Sequence, residues 1–205
     1  MRNIKTKQSV NTRDFLGNMY DEVEGFFRCF YGESIKGIKT VIFDDGSDGK
    51  GPVKMGFITS EEINTVFINS FCDEFQKVLV FVHEMTHIMQ NERNKTIVTN
   101  HSPFKFSAIL SLDFFNTMNA EEGEDEYINS ALEIEARMSS CQFLYEEIKA
   151  GKCAFFAEGD TAINHDQILH DYLFLSLTRG KGLTEKTKKI LGLCKDRQFV
   201  EFILG

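Results

Sequence analysis

The stretch Val78-Leu79-Val80-Phe81-Val82-His83-Glu84-Met85-Thr86-His87-Ile88-Met89-Gln90 decides how this chain is read. Val78 to Val82 open the stretch and Ile88 and Met89 come near its close, so apolar residues lie nearly all round, which fits a helix buried on most of its sides. Within it stands the pattern H-E-x-x-H, at His83, Glu84 and His87. Residues four apart lie one turn apart on the same face of a helix. Two imidazoles so placed can bind a single tetrahedral zinc, with Glu84 projecting beside the open coordination position. Zinc brings the pKa of its water near neutrality and polarises a carbonyl, and an adjacent carboxylate can take the proton. By chance the pattern arises in about one chain in a hundred of this size. Context sharpens it: two histidines and a glutamate in a buried helix need polar partners, because unpaired burial is costly. A metal supplies them.

Outward from that helix, which the spacing predicts over 71–92, the chain alternates helices and short strands. Phe15, Leu16, Met19, Tyr20, Val23, Phe26, Phe27 and Phe30 recur at helical spacing and predict a helix over 13–31. Ile38 to Phe43 reads as a strand, closed by the turn-rich run from Asp44 to Pro52. That acidic run lacks the spacing of a calcium loop and reads as surface. Further strands are expected at 54–58 and 64–69, and further helices at 104–118, 126–149, 162–178 and 184–203. The expected fold class is α+β: a single, mostly helical domain over 1–205 with a small sheet.

Composition agrees with a globular domain. Of 205 residues, 42% are hydrophobic and 26% charged, and only two are proline. The net charge of -8 argues against broad affinity for nucleic acid or an anionic membrane. No run approaches the roughly 20 apolar residues of a membrane span, and residues 1–14 carry no signal-peptide core. Five scattered cysteines without a CxxC pair fit free thiols in a reducing compartment. A cytoplasmic location is the expectation.

The H-E-x-x-H helix resembles that of the zincin metallopeptidases. Metzincins continue the pattern with a glycine and a third histidine, but Gln90 and Arg93 stand at those positions. Gluzincins take the third ligand from a glutamate on a later helix, within an E-x-x-A pattern. Here Glu133-Ile134-Glu135-Ala136 lies 46 residues beyond His87, and its E-x-E-A form, with HEMTHIMQ, is similar to small bacterial and phage-type gluzincins. The resemblance spans two helical segments and their order. It implies a zincin-like fold and a zinc peptidase with His83, His87 and Glu133 as ligands and Glu84 as general base. Glu135 stays open as the alternative ligand, since positions two apart point about 200° apart and only one can reach the metal. Arg137 occupies the place where many relatives carry an aspartate bonded to a zinc histidine, so that role must lie elsewhere.

Two weaker expectations follow from the same resemblance. The 64–69 strand is expected at the sheet edge over the metal, where it would bind extended substrate backbone; an interior strand is the alternative. His165, His170 or Tyr172 would stabilise the oxyanion, or else sit on the surface of an ordinary helix. The function expected is hydrolysis of a protein or peptide. Alternatives are an effector or regulatory protease confined to one partner, and an inactive zinc-stabilised binding module, for which Glu84 would be idle. Substrate identity and oligomeric state are not written in the sequence.

Overall fold

The computed structural model describes residues 6–44, 54–95, 131–152 and 165–205 apart from 179, 181, 193 and 195. It is mixed α+β, as the sequence leads one to expect, and its contacts group into two compact units, Met1–Ile97 and Val98–Gly205. The expected helix over 104–118 and the turn-rich run at 45–52 lie outside the described residues.

The first unit holds the sheet. Strands β1 (Thr6–Asn11), β2 (Lys39–Asp44), β3 (Gly56–Phe57) and β4 (Thr65–Asn69) lie in the order β1-β2-β4-β3. β2 and β4 run parallel, and each outer strand is antiparallel to its neighbour. All five residues of β4 are buried. This corrects the expectation that 64–69 is an edge strand: Thr65-Val-Phe-Ile-Asn69 is apolar on both faces because it sits inside the sheet. On one face Phe57 stacks on Phe67 with centroids 4.6 Å apart, and Phe43 and Val41 complete the cluster.

β1 is a strand that the sequence reading did not place. Its residues are almost all exposed, in keeping with an edge, where polar side chains are the rule. It runs into α1 (Thr12–Leu16), a 3₁₀ turn at Gly17–Met19, and α2 (Tyr20–Tyr31), so the single helix expected over 13–31 is interrupted. Tyr20, Val23, Phe27 and Tyr31 form the buried stripe of α2. Gly32, at φ 71°, ends it: the Gly32 and Glu33 amides donate to the Arg28 and Phe27 carbonyls. The buried Glu24 carboxylate then fixes the following turn, accepting from Arg28, from Ser34 Oγ and from the Ile35 amide. Burial works against its charge, but these bonds outweigh burial and hold its pKa below the ordinary value.

Helix α3 (Glu74–Lys95) follows β4. Its start is set by reciprocal capping: Asp73 accepts from the Gln76 amide at 2.7 Å, and the Gln76 side chain accepts from the Asp73 amide.

The regular elements described in the second unit are helices. Helix α4 (Ala131–Lys149) packs against α5 (His165–Thr178) and α6 (Glu185–Leu191), and α5 packs against α7 (Arg197–Leu204). From Glu133 to Tyr145, α4 is buried at every position but Ser140. The helix expected over 184–203 is two helices. Gly192 closes α6, and Asp196 opens α7 by accepting from the Phe199 amide at 3.0 Å.

Candidate metal centre

The middle of α3 is buried on nearly every side, as its composition implies. From Val80 to Gln90, only His83 and His87 are half-exposed, while Glu84 is buried at 7%. The helix thus opens at the two imidazoles and nowhere else along that stretch. Their Nε2 atoms lie 3.2 Å apart, with ring planes at 83°. Two ligands about 2.0–2.1 Å from one tetrahedral zinc are separated by about 3.3–3.4 Å. The pair therefore fits a shared cation in distance as well as in chemistry. Without one, the same spacing suits an N–H···N hydrogen bond whose proton a cation would replace.

His87 is oriented from behind. Its Nδ1 lies 2.7 Å from Gln90 Oε1, and Gln90 is almost fully buried. A carboxamide oxygen only accepts, so Nδ1 carries the proton and the Nε2 lone pair faces the site. Gln90 thereby fills the orienting role that Arg137 cannot. The signal was present in the sequence: Gln90 follows His87 by three, one turn along the same face.

Strand β3 closes over the same helix. A methyl group placed on Gly56 would lie 2.5 Å from Val80 Cγ1, 3.0 Å from Glu84 Cγ and 3.0 Å from the Phe67 carbonyl oxygen. Only glycine lets the strand come this near the general-base candidate. Nothing in the sequence marks Gly56 as special, because the approach is tertiary.

In the second unit, Glu133 and Glu135 both lie on α4 and both are buried, at 8% and 1%. His170 on α5 is half-buried; its Nε2 is 3.3 Å from the Ile203 carbonyl oxygen and its ring stacks near Phe174. Those contacts explain its burial without any substrate. Tyr172 is 41% exposed. His165 is the first residue of α5, and its side chain lies outside the described residues.

Of the four described cysteines, Cys72, Cys141 and Cys194 are buried and Cys29 is exposed, all as free thiols. Burial pushes Cys141 up to about 12 and Cys72 and Cys194 to about 11. Among the described residues, no helix is long and apolar enough to cross a membrane. Comparison of the chain with protein-family models, curated proteins and solved structures gives no match.

Proposed function

We propose that this chain is a zinc-dependent metallopeptidase in which His83, His87 and Glu133 hold the metal and Glu84 is the general base. One observation carries the reading: the Nε2 atoms of His83 and His87 lie 3.2 Å apart where an otherwise buried stretch of helix opens, the separation of two ligands on one cation; Glu133 comes from the E-x-E-A pattern. Two neutral imidazoles and a carboxylate form a donor set suited to catalytic zinc, which keeps a fourth position for water or substrate. Such a zinc, when bound, acidifies water and polarises a carbonyl.

The chain's own residues supply the rest. Gln90 holds His87 in the tautomer that offers Nε2 outward. Glu84 follows His83 directly, and its buried carboxylate accepts the proton of the attacking water and returns it to the departing amine. Gly56 keeps β3 close enough to confine that carboxylate. A purely structural metal site would have no use for Glu84.

The test is identification of new protein termini after a cell lysate is exposed to the wild-type chain and to Glu84→Gln. The amide fills the same volume but cannot accept the proton. New termini from the wild type and none from Glu84→Gln support peptidase action. Identical termini profiles from both would contradict it and favour an inactive binding module.

A further inference from the structure

The first unit holds a groove where the β1–β2 ladder ends, between the β1–α1 junction at 9–13, Tyr20 of α2 and the turn at 35–39. Its volume is about 700 Å³, the size of a small-molecule site. Hydrogen bonds fix both walls. Thr12 Oγ1 donates to the Ile38 carbonyl at 2.6 Å and lies 2.9 Å from Thr40 Oγ1, which ties the start of α1 to the turn. The Ile38 amide donates to the Ile35 carbonyl at 3.2 Å, and Gly37, at φ 88°, lets that turn close. The groove is thus formed before any ligand arrives.

Its chemistry is one-sided. Arg13, Lys36 and Lys39 line it, and no carboxylate is among its described lining residues, in a chain of net charge -8. Asn11 Oδ1 accepts from the Arg13 amide at 2.9 Å, so that side chain offers its NH2 group as a further donor. The Tyr20 ring positions Arg13, whose guanidinium carbon stands 3.9 Å from the ring centroid. The Arg13–Asp21 contact, at 3.4 Å, joins two exposed side chains and is weak enough for an incoming anion to replace. A phosphate monoester, with a charge of about -1.5 to -2 at neutral pH and three acceptor oxygens, matches three cations better than a single carboxylate does. The same groove is lined by Val10, Tyr20, Ile35 and Ile38, all buried or half-buried, an apolar surface that phosphate alone leaves uncovered.

We propose that this groove binds a small molecule in which a phosphate monoester is carried on an apolar ring, with the phosphate on Arg13, Lys36 and Lys39 and the ring on the apolar lining. The lining residues come from outside α3, so the site does not depend on how His83 and His87 act.

The experiment is isothermal titration calorimetry of the full chain with phenyl phosphate, and with inorganic phosphate and phenol as the two halves of that probe. Phenyl phosphate should bind at a single site, more tightly than either half, and more weakly as salt rises. The combined Arg13→Gln, Lys36→Gln, Lys39→Gln variant should bind it about tenfold more weakly, the usual strength of three exposed ion pairs together. A control with the same change of charge elsewhere, Lys54→Gln, Lys152→Gln, Lys188→Gln, should bind it as the wild type does. All these residues are exposed, and circular dichroism checks that both variants keep the fold. No detectable binding, inorganic phosphate binding as tightly as the ester, or an equal loss in the control would overturn the proposal. So would binding that vanishes in His87→Ala, which would put the phosphate on the metal site. Capture by vesicles of phosphatidic acid in phosphatidylcholine, without binding of phenyl phosphate, would also overturn it, by giving the cations to a membrane headgroup.

Discussion

Consider Gly56→Ala, which adds one methyl group where β3 meets α3. The new Cβ would stand 2.5 Å from Val80 Cγ1, against an ordinary contact of 3.4–4 Å, so roughly 1 Å must be found. Val80 cannot easily yield, since a β-branched side chain in a helix has one strongly preferred rotamer. The Phe67 carbonyl at 3.0 Å is backbone within the interior strand β4. The strand that can move is β3, only two residues long and paired on one side. Overpacking of this kind costs about 1–3 kcal/mol. With a urea dependence of about 2 kcal/mol per molar, the unfolding midpoint should fall by about 0.5–1.5 M. Glu84 Cγ, also at 3.0 Å, is pressed in the same direction, and a misplacement approaching 1 Å lowers catalysis by up to about a hundredfold. Equilibrium urea unfolding of wild type and Gly56→Ala, with peptidase activity on the same samples, makes the measurement. An unchanged midpoint would refute the close approach of β3 to α3.

Other perturbations have equally definite outcomes. Gln90→Leu frees the His87 ring, and zinc affinity measured by chelator competition should fall about 10–100-fold, with Gln90→Glu restoring most of it. Glu24→Gln removes the charge that Arg28, Ser34 and the Ile35 amide satisfy, and should destabilise the chain by about 1–3 kcal/mol in denaturant titrations. Because the folded pKa of Glu24 is lowered, that stability is present above its ordinary value of 4.5 and is lost as pH falls through the folded value; Glu24→Gln should flatten this part of the acid limb. The raised thiols act at the other end of the scale. Their contribution is complete below 9.0 and is lost as pH rises toward about 11 for Cys72 and Cys194 and about 12 for Cys141, so unfolding free energy should decline on the alkaline side. At neutral pH these three thiols should resist an alkylating reagent until denaturant is added, as mass spectrometry would show.

The parts of this molecule that the sequence makes legible are those decided locally. Thr65 to Asn69 is recognisable as a strand from its composition, and Val78 to Gln90 as a buried helix from the apolar residues that surround its few polar ones. The His83–His87 pairing follows from helical geometry alone. Boundaries were readable where a cap sets them: Asp73 with Gln76 starts α3, and Gly192 with Asp196 splits the last two helices, although apolar spacing by itself runs through both. β1 is hidden because Thr6-Lys-Gln-Ser-Val-Asn11 has no apolar alternation, and an edge strand needs none. The order of strands was equally hidden. β4 is interior because β3 pairs back onto it, a long-range fact that its own five residues do not encode. For the same reason Gly56 gives no sign of Glu84, whereas Gln90, a turn away from His87, could have been read.

The central claim is that His83, His87 and Glu133 hold one zinc ion. Titration of zinc into metal-free protein tests it directly, using wild type with His87→Ala, Glu133→Ala and Glu135→Ala. The wild type should take up one zinc per chain; His87→Ala should lose the site, and Glu133→Ala should weaken it strongly. Glu135→Ala should bind nearly as the wild type does, since positions two apart on a helix face away from each other. Wild-type affinity in His87→Ala would contradict the account, and a large loss confined to Glu135→Ala would move the third ligand to Glu135.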